Sequence, residues 1–133
     1  GWDDFDVTLA QSRNYWVSVC DELGPHAVPV WGLWIDDMFL FGTDRSSRKG
    51  RALARNGACV IHLESGDDVL IVHGQAERLP PAYLDVFVTA YDRKYGVLLV
   101  PEDQTQVFFR VIPLFAFSWL ERDFQQTAVK WVF

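Results

Sequence analysis

Apolar and polar residues alternate along most of this chain, and the places where the alternation changes period mark its elements. Tyr15-Trp16-Val17-Ser18-Val19-Cys20 combines aromatic and β-branched residues that suit a pleated, half-buried surface, so a strand is predicted there after a short acidic lead-in. Asp21-Glu22-Leu23-Gly24-Pro25 reads as a turn and His26 to Trp34 as a second extended run. Asp36-Asp37 then turns the chain into Met38-Phe39-Leu40-Phe41-Gly42-Thr43, and local pairing makes a meander of the three strands. From Ser46 or Ser47 the period becomes helical. Leu53 and its neighbouring alanines, flanked by Lys49, Arg51 and Arg55, fit a short helix with a serine cap and a stop at Asn56-Gly57.

Cys59 to Leu63 and Val69 to Glu77 read as a hairpin turned by Glu64-Ser65-Gly66-Asp67-Asp68. Pro80-Pro81 opens a second helix through about Lys94, because proline is tolerated in a first turn and Leu84, Phe87, Val88 and Tyr91 recur at helical spacing. Gln106 to Ile112 and Leu114 to Leu120 are predicted as strands divided by Pro113, and Thr127 to Phe133 as a last short one. Antiparallel strands with two helices inserted give a mainly β class, a β-barrel with inserted helices or an α+β roll. At 133 residues, half of them hydrophobic, residues 1–133 are expected to form a single domain.

Composition narrows the function classes. No apolar run reaches the ~18 residues of a membrane span, and Gly1 to Asp6 lacks a basic region followed by an apolar signal, so a soluble protein is expected. Cys20 and Cys59 lie in alternating apolar stretches without metal-ligand spacing and read as core residues in a reducing compartment, the cytoplasm. A net charge of -6 is the wrong sign for general attraction to nucleic acid or an anionic membrane. Against it, Arg45, Arg48, Lys49, Arg51 and Arg55 stand together with no acid among them, which suggests a small anionic ligand.

The sharpest local signal is therefore a strand ending in Thr43, a loop with two serines and Arg48-Lys49, and a helix. A phosphate calls for convergent N–H groups, hydroxyls and cations, and a helix start supplies donors with a favourable dipole. A capped helix with a solvated basic face reads the same residues without a ligand. Upstream, Pro29 cannot donate to a strand ladder, so His26 to Trp34 reads as an edge or bulge with backbone groups free for a planar heterocycle and Trp31 as a packing wall, or simply as a barrel edge. His26, His62 and His73 sit on separate strands, no hydrolase constellation or metal-ligand spacing is visible, and the paired aspartates occupy turn positions.

Taken together, Tyr15-Trp16-Val17-Ser18-Val19, Gly24-Pro25-His26-Ala27-Val28-Pro29-Val30-Trp31, Phe41-Gly42-Thr43, Ser47-Arg48-Lys49, Arg55-Asn56 and Val72 to Glu77 resemble the FMN-binding split barrels. That family includes pyridoxamine 5′-phosphate oxidase and flavin/deazaflavin oxidoreductases. The resemblance covers roughly residues 12 to 79, and Ala128 to Phe133 is similar to the tail of the small members. It implies a split β-barrel homodimer holding FMN, or the deazaflavin coenzyme F-420, between subunits. Thr43, Ser47, Arg48 and Lys49 would contact the phosphate, the Val28-Pro29-Val30-Trp31 backbone would run beside the ring, and Trp131 would approach it from the tail. Hydride transfer to a small organic substrate is the implied activity, with no side-chain acid or base required. A Trp-x-x-x-Arg-Leu-x-Pro-type segment is missing, so pyridoxamine phosphate is not the expected substrate. A non-catalytic flavin carrier and a haem-binding split barrel with a histidine ligand are the alternatives.

Overall fold

The computed structural model describes residues Gly1–Phe133. Helix α1 (Asp3–Gln11) is followed by strands β1 (Tyr15–Asp21), β2 (Gly24–Val30), β3 (Leu33–Ile35) and β4 (Met38–Asp44). Helix α2 (Arg48–Arg55) precedes β5 (Ala58–His62) and β6 (Asp68–Arg78), and a 3-10 turn at Pro81–Tyr83 leads into α3 (Leu84–Tyr95). Strand β7 (Gln106–Leu120), the short α4 (Phe124–Thr127) and β8 (Val129–Val132) come last. The strands form one antiparallel sheet in the order β2-β1-β5-β6-β7-β4-β3, with β8 sharing an edge of β7 with β4. The mainly β barrel class read from the sequence is the class observed.

The expected meander does not form. Strand β2 pairs only with β1 and β3 only with β4, so the two ends of the His26 to Trp34 run stand at opposite ends of the sheet. Strand β4 explains why. Phe39 and Phe41 join the main core inside the curled sheet, while Leu40 faces the smaller cluster of Leu33, Met38, Leu79 and Phe87 beneath α3. A strand buried on both faces needs a partner deep in the sheet, and β7 provides it across Phe39–Asp44. The division at Pro113 is also absent. β7 runs unbroken because the β6–β7 register shifts between His73 and Gly74, opposite Pro113, and a bulge has no need of the missing N–H. The acidic lead-in is helical: Asp3, Asp4 and Asp6 complement the dipole of its first turn, and Phe5 and Leu9 turn toward the core.

Trp31 and Gly32 carry the chain from one end of the sheet to the other, and α3 clamps them. Lys94 donates to the Tyr15 hydroxyl (2.8 Å) and to the carbonyls of Gly32 (3.1 Å) and Ala10 (3.2 Å). The Tyr95 hydroxyl accepts from Gly32 N–H (3.0 Å) and lies within donating distance of the Arg13 and Gly32 carbonyls (2.8 and 2.9 Å). Burial pushes the Lys94 ammonium down to about 8. A Cβ on Gly32 would stand 2.4 Å from the Phe39 ring and 2.8 Å from the Leu40 carbonyl. Gly32→Ala is therefore expected to destabilise the fold by ~1–3 kcal/mol, read as a lower midpoint in denaturant unfolding with the slope unchanged.

Candidate functional site

Strand β4 delivers the chain into a tight turn whose polar groups are nearly all spoken for. The Asp44 carboxylate accepts from Ser46 N–H (2.8 Å) and the Ser46 hydroxyl (2.6 Å), bonds that hold its pKa below the ordinary aspartate value. Ser47 caps α2: its hydroxyl accepts from Gly50 N–H (3.1 Å) and donates to the Asp44 carbonyl (2.7 Å). A Cβ at position 50 would lie 2.6 Å from that same carbonyl, so glycine lets the turn fold back on the helix. Thr43 is buried with its hydroxyl 3.2 Å from that of Ser47. Helix geometry leaves the first N–H groups without partners, and here those of Arg48 and Lys49 make no bond within the chain.

The two cations predicted for this loop have different surroundings. Arg48 is engaged by the tip of the β1–β2 hairpin: Nε donates to Asp21 Oδ2 (2.7 Å), and Nη2 donates to Asp21 Oδ1 (3.0 Å) and to the Gly24 carbonyl (3.4 Å). Asp21, read from the sequence as a turn residue, is thus the partner that sequence reasoning missed. Lys49 is half-buried and has no ion pair or hydrogen bond. Desolvation lowers its pKa against the opposing pull of the Asp44 charge. A lysine in that state lies next to the free amides of a helix start, an arrangement that favours an anion.

From Gly24, beside Arg48, strand β2 runs away along the outer edge of the sheet. Its rise of ~3.3 Å per residue puts Val28 to Val30 on the order of 13–20 Å from the loop. Val28 and Val30 lie opposite the fully buried Val17 and Tyr15, so their side chains turn inward, and what the edge presents is backbone together with the outward Pro29. Trp31 has one face taken: the Tyr95 ring lies parallel to it at 4.6 Å, and the Arg13 guanidinium is 4.7 Å from its centroid. Thr43, Ser47, Arg48, Lys49 and the β2 edge are therefore brought onto one side of the molecule. Trp131 belongs to another grouping. Its ring neighbours are Trp2 and Phe5 (5.6 and 5.7 Å), and its indole N–H donates to Ser118 (2.9 Å).

The register also lays out the convex face of the sheet. Ala27, Ser18, Val60, His73, Phe115 and Val132 form one rung across β2, β1, β5, β6, β7 and β8. Pro29, Trp16, His62, Ile71, Phe117 and Lys130 form the next. His62 lies parallel to Trp16 at 6.2 Å and His73 stacks on Phe115 at 4.5 Å, while His26 pairs with Val19 on the inward side. The three histidines do not meet.

No protein-family model matches the chain, and no curated protein matches it by sequence. Solved structures do. A conserved hypothetical protein from Mycobacterium tuberculosis superposes with a TM-score of 0.78 at 21% identity, over 92% of this chain and 86% of that one. A candidate pyridoxamine 5′-phosphate oxidase from Listeria innocua gives 0.72 at 15% identity, over 87% and 95%. The fold is the pyridoxamine 5′-phosphate oxidase-like split barrel. A further split barrel of the same shape is an F420 reductase, with a TM-score of 0.65 at 20% identity over 82% of this chain and 93% of that one.

The Arg48–Asp21 pair gives this split barrel a pH signature. Asp21 is held below its ordinary value by the Arg48 hydrogen bond. Its contribution is thus complete above that ordinary value of 3.8 and is lost as pH falls through the depressed one. Asp21→Asn is expected to be less stable than wild type at pH 6, with the gap closing below pH ~4, as followed by urea unfolding across that range.

Proposed function

We propose that this split barrel binds a flavin-type cofactor, FMN or the deazaflavin coenzyme F-420, and transfers hydride between it and a small organic substrate. The observation that carries the reading is Lys49, an unpaired, half-buried cation beside two free amides at a capped helix start. Its donor set suits a phosphate: amides, an ammonium, and the hydroxyl pair of Thr43 and Ser47 behind them. Lys49 makes the charged contact, and Arg48 holds the hairpin tip against the loop through Asp21, so that the start of β2 is fixed relative to the phosphate. The β2 edge then offers backbone to a flat ring at a distance that suits a ligand anionic at one end and planar at the other. When bound, the cofactor supplies hydride acceptance and donation; the chain binds, orients and excludes water.

A second copy of the chain completes the groove in this reading. The two convex rungs are rich in apolar and aromatic side chains, with Leu114 and Val132 at 50% and 77% exposure beside them, more than a monomer usually leaves to water. A dimer is the expected result of light scattering in solution, and a monomer at every concentration would remove this part of the proposal.

Titration of purified protein with FMN and with F-420, followed by cofactor absorbance and fluorescence, tests the central claim. Tight binding of one of them is expected, and Lys49→Ala should weaken it by at least about tenfold, since a charged hydrogen bond contributes ~1.5–3 kcal/mol. Binding of neither cofactor sinks the reading, and binding that Lys49→Ala leaves unaltered removes the loop from it.

A further inference from the structure

On the side of α2 away from the β1–β2 hairpin lies a hollow of about 290 Å³ lined by Arg45, Gly50, Arg51, Ala54, Arg55, Arg78 and Val107. Its four arginines come from the loop after β4, from α2 and from the end of β6, and no carboxylate lines it. In a chain of net charge -6, that grouping stands out from arginines with a structural role. Arg48 and Arg110 show what a structural role looks like here, each in direct contact with one acid, Asp21 or Glu77. Arg51 and Arg78 have no ion pair, and Arg55 reaches only Glu22 at 3.6 Å, with both side chains largely exposed. Arg45 is fixed in place by donating Nε to the Gln104 carbonyl (3.2 Å) and Nη2 to that of Gln106 (3.3 Å), which leaves its remaining donors to the hollow. Gly50 and Ala54 keep the floor low, so guanidinium groups rise around a shallow bowl.

We propose that this bowl is a second anion site, distinct from the Lys49 loop, that takes a small multivalent anion such as a polycarboxylate or a polyphosphate. Guanidinium groups on several walls match the several charged oxygens of such a ligand, each able to make paired hydrogen bonds, whereas a single phosphate would leave most of them unused. Arg51 also lines the neighbouring hollow of Asp44, Arg45, Ser46, Gln104 and Thr105, so a long anion has room to extend toward that side. The acidic balance of the rest of the chain disfavours an extended nucleic acid, whose contacts would run beyond the bowl onto like charge.

Calorimetric titration with tripolyphosphate and with a short oligoglutamate, at low ionic strength, tests the proposal. The expected result is one-to-one binding of at least one of them, clearly tighter than orthophosphate. It should be weakened about tenfold or more in Arg51→Gln/Arg78→Gln and unchanged in Lys49→Ala. Which of the two binds identifies the chemistry. Arg78→Glu alone serves as a second variant, expected to weaken binding at least as much, and circular dichroism melts confirm that each variant folds. Affinity for both probes no better than for orthophosphate, or equal loss in Lys49→Ala and in the double variant, overturns the site. FMN titration of the same double variant separates the two claims: retained FMN affinity with lost polyanion binding keeps the sites apart. FMN failing in every form refutes the cofactor reading and leaves the polyanion result to be judged alone.

Discussion

Two residues, Trp31 and Gly32, span the gap between the two ends of the sheet, and everything else in this fold is arranged around that short crossing. A sheet whose first and last strands are joined so closely in sequence must curl until they approach each other. The curl creates the interior that Tyr15, Phe39, Phe41 and Phe109 fill, and it leaves β2 with one unpaired edge. Lys94 and Tyr95 hold the crossing from outside by satisfying the Gly32 backbone groups that no strand partner can reach. The buried backbone at this seam is thus paid for by two side chains of α3, which explains why that helix ends in polar residues while its earlier turns are apolar.

The candidate site draws its character from a division of labour between adjacent cations. Arg48 forms its fork with Asp21 and sets geometry, and Lys49 carries charge that nothing in the chain neutralises. A sequence shows two neighbouring basic residues as equivalents. Their separation follows from the helix, which at 100° per residue turns one toward the hairpin and the other toward the loop.

Elements set by local chemistry were legible in the sequence: β1, α2 with its Ser47 cap, the β5–β6 hairpin, α3 and β8 all lie where periodicity put them. The Thr43–Lys49 loop was legible for the same reason, since its capping and turn preferences act over a few residues. What failed depends on distance. The partner of Arg48 sits 27 positions away, and the pairing of β4 with β7 links residues more than 60 positions apart, so alternation along either segment gives no sign of it. Pro113 misled because its cost vanishes only opposite a bulge on another strand. Helix α1 could have been found: Trp2, Phe5 and Leu9 carry helical spacing behind an acidic first turn, a signal masked by the density of aspartates.

Strand β7 is bordered along its length by β6 on one edge and by β4 and then β8 on the other. During synthesis the β1–β2, β3–β4 and β5–β6 pairs have their partners near at hand and emerge early, yet the sheet that joins them awaits a segment made after residue 105. Until then β4 has no inner neighbour, and its apolar run stands open on one side. The time course of folding is therefore governed by closure of a long loop rather than by the quick hairpins, and the nascent chain is most vulnerable to misassociation just before its last quarter appears.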